Sequence, residues 1–376
     1  MKAHLKLGKI FGIEVGFHFS WLIIALLIML SLSSYFSEAH PDWSRETIWA
    51  MAVGSALLFF LAIVIHEFSH AMVARSNGLP VKSITLFALG GVAQIEKEAP
   101  DGKTEFWLGI IGPIASAAIG FVCLFAAYLL GWVPMSEADA PAVAILVWLG
   151  YINFALAIFN MIPGFPMDGG RVLRGVIWMF TGNASKATRI ASVIGQFMAF
   201  SFITFGLLIF FAGSNLSGLW MAFIGWFLLN AARASYAQVE ITENLRGLTV
   251  SDLMSRDSAC VAPSENLQTI VDDYMLKAGR RCVLVADDGE FAGLITTHEI
   301  KPVERRLWAF KTASDVMRPL ENLHVIAPEA PVTAALEVIG REEVSQLPVV
   351  LSGQLHGLIT REQIFNYLFT RKELNA

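Results

Sequence analysis

The sequence predicts an α-helical polytopic membrane domain of about six spans, followed by a smaller α/β unit built from an internal repeat. Three observations predict it. The composition is 55% hydrophobic and only 16% charged, with 27 Phe and 10 Trp, whereas soluble domains run at about 45–50% apolar and about 25% charged. Apolar runs of about 17–25 residues, the length that crosses a bilayer, recur as far as residue 237. From about Glu240 the charges return, the apolar runs shorten, and a unit of about 63 residues occurs twice. The formal net charge of -5 leaves no electrostatic footprint for nucleic acid. Cys123, Cys260 and Cys282 lack the C-x-x-C spacing of a thiolate metal site.

Spans are expected at 17–35, 48–74, 106–130, 142–161, 188–212 and 217–237. Basic residues in the connections set their direction, because cytosolic loops carry the excess of Lys and Arg. Lys2, Lys6 and Lys9 precede the first span, and the next connection sets Glu38, Asp42 and Glu46 against Arg45 alone. Arg75, Lys82, Lys97 and Lys103 follow the second span. Glu137 and Asp139 follow the third with no basic residue, and Arg171, Arg174, Lys186 and Arg189 precede the fifth. This alternation puts both termini of a multi-pass cell-membrane protein in the cytosol. The first apolar run continues from Trp21 to Leu32, which predicts a retained span instead of a cleaved signal peptide.

The chemistry is concentrated at His66-Glu67-Phe68-Ser69-His70 in the second span. Helical residues four apart stack on one face. Both imidazoles can therefore reach one ion with Glu67 beside it, an arrangement that binds zinc and activates water. Ionisable groups at membrane depth are costly and mark a function. The fourth span ends on the same side, in Asn160-Met161-Ile162-Pro163-Gly164-Phe165-Pro166-Met167-Asp168-Gly169-Gly170-Arg171, where prolines and glycines break the helix. Asp168 is the one carboxylate there. It supplies a third ligand if this irregular stretch lines a cavity, and is a solvated loop residue otherwise. Val81 to Ile95 reads as a β-hairpin or as a plain cytosolic loop. His18 reads as a cavity-lining or a packing residue.

Together these motifs resemble the site-2 protease family of intramembrane zinc proteases. His66-Glu67-x-x-His70 and Asn160-x-x-Pro163-x-x-Pro166-x-Asp168-Gly169 occur in the family's order. Gly12-Ile13-x-Val15-x-x-His18-x-Ser20, taken as part of the first span, is similar to the N-terminal motif of the six-span branch. Leu89-Gly90-Gly91-Val92-Ala93 resembles the re-entrant β-hairpin behind the zinc helix, and Gly112-Pro113 fits the start of the third span. The resemblance covers residues 1–239 or nearly so, without a PDZ-like insertion. It implies one Zn2+ held by His66, His70 and Asp168, with Glu67 as general base and Asn160 holding substrate or oxyanion. The substrate implied is a transmembrane or membrane-tethered protein, met within the lipid bilayer.

In the C-terminal third, Val250-Ser251-Asp252-Leu253-Met254 recurs as Ala313-Ser314-Asp315-Val316-Met317, and Gly293-Leu294-Ile295-Thr296 as Gly357-Leu358-Ile359-Thr360. Each unit has an apolar-periodic helix (Leu267 to Leu276; Val332 to Ile339) before a short β-rich run (Cys282 to Val285; Leu347 to Leu351). The pattern resembles a tandem pair of CBS domains, β-α-β-β-α modules, over 247–302 and 308–370. Such pairs bind adenine nucleotides, which implies Thr296, Glu299 and Thr360 as ligand contacts. The family's Asp is Glu299 in one module and Gln363 in the other, so a ligand-free docking or dimerisation module, forming a homodimer or higher oligomer, stays open.

Two function classes follow. One is an intramembrane metalloprotease modulated by its cytosolic pair. The other is a CBS-regulated transporter or channel that uses the polar cluster as an ion path. Clustering of His66, Glu67, His70 and Asp168 at one depth, with spacing suited to tetrahedral zinc, favours the protease.

Overall fold

The computed structural model describes residues 4–87, 90–95, 97–136, 138–213, 216–287 and 290–374. The chain divides into two compact units, Met1–Val239 and Glu240–Ala376. The first opens on a β-hairpin, β1 (Leu5–Ile10) and β2 (Ile13–Phe17), turned through Phe11 and Gly12 at φ 49° and 82°. Positive φ at both turn residues matches the right-handed twist of the paired strands. Strand β2 pairs in parallel with β3 (Val81–Phe87), which pairs antiparallel with β4 (Gly90–Ile95), giving the order β1-β2-β3-β4.

Gly12 to Phe19 therefore precede the first span instead of lying within it, and of the expected motif only Ser20 is helical. Ile13 and Val15 are buried and Glu14 is half-buried, a period of two that a strand satisfies and a helix does not. Helix α1 begins at Ser20, whose amide donates to His18 Nδ1 at 3.2 Å. His18 is a packing residue: its amide donates to the Leu86 carbonyl, and its ring meets Ser20 Oγ at 2.9 Å.

The helices are α1 (Ser20–Ala39), α2 (Arg45–Ser76), α3 (Gly102–Leu129), α4 (Pro141–Asn160), α5 (Asp168–Thr181), α6 (Ala184–Gly213) and α7 (Leu216–Asn244). Five of them, α1 to α4 and α6, are long and apolar enough to cross a membrane. The sixth expected span falls on α7, helical over 29 residues but interrupted by Asn230 and Arg233 and outside those five. Ser44 caps α2 and Asp101 caps α3, each accepting the amide three residues on. The α1–α2–α4 core holds Leu32, Phe36, Met51, Ala52 and Phe60 against Val143 and Ala144.

Helix α5 was not expected. The irregular stretch stops at Met167, because Asp168 opens a helix despite the two glycines behind it. A Cβ at Gly169 would overlap the Met161 and Ile162 carbonyls, and one at Gly170 the Gly164–Phe165 backbone. Glycine's low helix propensity is here outweighed by close backbone packing.

The second unit carries α8 (Val250–Leu253), β5 (Cys260–Val261), α9 (Leu267–Thr269) continued by a π-helical stretch to Lys277, β6 (Cys282–Asp287), β7 (Glu290–Thr296) and α10 (Thr297–Ile300). The repeat follows with α11 (Ala313–Val316), β8 (Arg318–Pro319), α12 (Val332–Arg341), β9 (Gln346–Leu351), β10 (Gln354–Thr360) and α13 (Arg361–Glu373). The strand order is β5-β6-β7-β10-β9, with β8 on β7, so β7 and β10 join the two modules. Each module has its own core, one around Leu267, Ile270, Val283 and Ile295, the other around Val332, Ile339, Leu347 and Ile359.

Candidate metal centre

On α2, His66 and His70 stack one turn apart, each only 4% exposed. Their Nε2 atoms lie 3.2 Å apart, and Asp168 Oδ2 stands 3.0 Å from the first and 3.3 Å from the second. A tetrahedral ion with ligand bonds of about 2.0–2.1 Å needs donors about 3.3 Å apart. His70 Nδ1 lies 2.5 Å from the Leu108 carbonyl oxygen, which can only accept, so Nδ1 carries the hydrogen and Nε2 the lone pair of the neutral ring. His66 Nδ1 is likewise engaged, 2.9 Å from the buried Ser116 Oγ. Three electron-rich atoms at these separations repel one another. A divalent cation between them would offset that repulsion.

Gly112 on α3 completes the cradle. A Cβ there would overlap the Nε2 atoms of both histidines, so the missing side chain is the space between the donors. The residues therefore fit a bound zinc ion.

The same cavity, about 620 Å³, is lined by Glu67, Asn160, Arg171 and β4, besides the three donors. Its remaining wall is apolar, with Trp21, Phe60, Phe159 and Phe227 among the lining residues. Asn160 ends α4 one loop before Asp168. A Cβ at Gly91 would run into Glu67 Cγ, so the backbone of β4 passes directly over that carboxylate. The Gly90–Gly91 part of the expected hairpin is thus an edge strand at the site, while Leu89 falls outside the described residues.

The sequence analysis read Arg171 and Arg174 only as charges of a cytosolic connection and passed over Glu105, with which both pair. Glu105 is buried in α3, which starts at Gly102, four residues before the expected span. A carboxylate abutting an apolar run was the available signal.

In the second unit the predicted contacts are spent locally. The Thr296 amide and hydroxyl both donate to Glu299 Oε2, while Glu299 Oε1 accepts from Arg318 Nη2 at 2.7 Å. The Thr360 amide and hydroxyl donate to Gln363 Oε1 at 2.8 and 3.1 Å. These are capping boxes for α10 and α13. The neutral Gln363 serves that role in one module as Glu299 does in the other. A cleft of about 800 Å³ lies between Arg280, Arg281 and Cys282 on one side and Gln346, Thr360 and Arg361 on the other. Thr360 lines it; Thr296 and Glu299 do not. Burial pushes the Cys282 thiol up to about 11.

The chain matches Peptidase family M50 over residues 54–138 and 129–203, and CBS domain over 250–303 and 313–370. Relatives named as zinc metalloproteases span nearly all of it. The sll0528 protein of Synechocystis sp. is 32% identical over 98% of this chain and 97% of its own length. The Rip3 protein of Mycobacterium tuberculosis is 31% identical over 90% of this chain and 85% of its own. Among solved structures, a site-2 protease from Methanocaldococcus jannaschii is 28% identical and covers 62% of this chain and 94% of its own, with a TM-score of 0.43. The chain belongs to peptidase family M50, the site-2 protease family of zinc metalloproteases, and carries a tandem pair of CBS domains.

Proposed function

We propose that this protein hydrolyses a peptide bond within or near the transmembrane segment of a membrane-tethered substrate, with both of its own termini in the cytosol. His66, His70 and Asp168 hold the zinc. The reading is carried by one observation, the convergence of these three donors at 3.0–3.3 Å beside Glu67 in an otherwise apolar cavity. Bound zinc would supply Lewis acidity, lowering the pKa of water towards neutrality and polarising the scissile carbonyl.

The protein's own groups do the rest. Glu67 takes a proton from the attacking water and delivers it to the departing amine, so hydrolysis yields one carboxylate and one amine. The Asn160 amide donates to the carbonyl oxygen as negative charge grows there. A helical substrate hides its amides in its own hydrogen bonds, so a stretch must be drawn out before attack. The edge of β4, with Gly90 and Gly91 allowing close approach, pairs with that extended stretch. The clustered arrangement favours this chemistry over an ion path, which needs polar groups strung across the membrane.

The CBS pair binds an adenine nucleotide in the Arg280–Arg281–Arg361 cleft and modulates cleavage. Titrating ATP into purified protein should release or absorb heat that Arg281→Ala diminishes. No heat at millimolar ATP would favour a docking or dimerisation role. Glu67→Gln should retain zinc and fold but lose cleavage of a co-expressed single-span substrate by about 100-fold or more. Cleavage at the parental rate would remove Glu67 as the base.

A further inference from the structure

Among the described residues, Glu105 is a deeply buried carboxylate that the reaction above leaves unused. Its side chain is 2% exposed and meets two guanidinium groups of α5. Arg171 donates through Nε to Oε1 at 3.1 Å and through Nη2 to Oε2 at 3.5 Å, and Arg174 Nη1 reaches Oε1 at 3.3 Å. Arg174 also holds Glu98 at 3.2 Å.

Such a cluster is a poor source of stability, because desolvation of the ions offsets their attraction; its best-attested use is to fix one register. The register here is that of α3 against α5. Their backbones touch at glycines: a Cβ at Gly109 would stand 2.8 Å from the Val172 nitrogen and 2.9 Å from the Asp168 carbonyl oxygen, and one at Gly175 2.6 Å from the Phe106 nitrogen. A smooth glycine seam permits sliding, whereas a forked carboxylate–guanidinium contact does not.

That sliding coordinate runs through the metal centre. Asp168 is the first residue of α5, one turn before Arg171. On α3, Leu108, Gly112 and Ser116 follow Glu105 at helical spacing, and supply the His70 acceptor, the void between the rings and the His66 partner.

We infer that Glu105 is a positioning residue of the metal centre: by clamping Arg171 and Arg174 it sets α5 against α3 and holds the Asp168 carboxylate opposite His66 and His70. The inference rests on the zinc reading above. It is tested on purified full-length protein by chelator competition for zinc, by the visible spectrum of the cobalt-substituted form, and by thermal unfolding.

Glu105→Gln, which keeps shape and removes charge, should weaken zinc binding at least about 10-fold, the lower end of what loss of a ligand-orienting partner costs, and alter the cobalt spectrum. Arg171→Lys, which keeps charge and loses the fork, should do the same. Replacing Glu105, Arg171 and Arg174 together by Met should restore a stable fold yet leave zinc binding weak. Parental affinity and spectrum in any of these variants that folds would overturn the proposal, and the triad would then serve stability alone. Should Glu105→Gln not fold, Arg171→Lys and the triple variant decide. A parent that binds no zinc refutes the metal reading and this inference together; a parent that binds it beside variants that match it refutes the inference only.

Discussion

Gly112 illustrates how a residue without a side chain can define a site. The space its Cβ would fill lies against both histidine Nε2 atoms, so Gly112→Ala puts a methyl group where the proposed ion would sit. We predict that it lowers bound zinc at least about 10-fold while costing about 1–3 kcal/mol of stability, the usual range for overpacking a filled interior. Metal analysis beside thermal unfolding checks both, and zinc content at the parental ratio would show that the cradle is not the one described. The stacking of His66 and His70 was legible in sequence because it follows from helical spacing, and Asp168 drew attention as the one carboxylate in a broken span. The need for Gly112 was not. It depends on how closely α3 approaches α2, and that distance is a property of the packed bundle.

At the scale of elements, two misplaced pieces have physical causes. The N-terminal hairpin reads as the start of an apolar run, but Ile13 and Val15 alternate with Glu14 and find a partner in β3, sixty-nine residues downstream in register Val15 to Ile84. Helix α5 begins in a Pro- and Gly-rich stretch that local propensity assigns to loop, and tertiary packing of Gly169 and Gly170 overrides that preference. The capping boxes were readable in retrospect, since Thr296 with Glu299 and Thr360 with Gln363 keep the T-x-x-E/Q spacing.

These caps give a pH dependence. Burial pushes the Glu299 carboxyl up, but hydrogen bonds from the Thr296 hydroxyl and amide and the charge of Arg318 outweigh it and hold it below its ordinary range. Its contribution to stability is therefore present above the unfolded-state value and is lost as pH falls through the folded one. Glu299→Gln keeps the cap acceptor and loses the charge. It should destabilise the second unit by about 0.5–1 kcal/mol at pH 7, with the difference closing in acid below pH of about 4. Parallel unfolding curves at neutral and acid pH test this, and a pH-independent difference would contradict it.

For the whole molecule, the division of labour was written in composition: five apolar helices and α7 in one part, a charged repeat with two small cores in the other. Sequence could not show which groups meet. The three donors of the candidate metal centre come from positions about a hundred residues apart, on α2 and at the start of α5, and only the fold brings their atoms within 3.3 Å. Zinc-dependent hydrolysis here requires those three donors to share one ion. The most direct measurement is the zinc-to-protein ratio of the purified full-length chain and of Asp168→Ala after dialysis against a mild chelator. A ratio near one is expected for the parent and a large loss in Asp168→Ala. An equal ratio in both would contradict a shared ion.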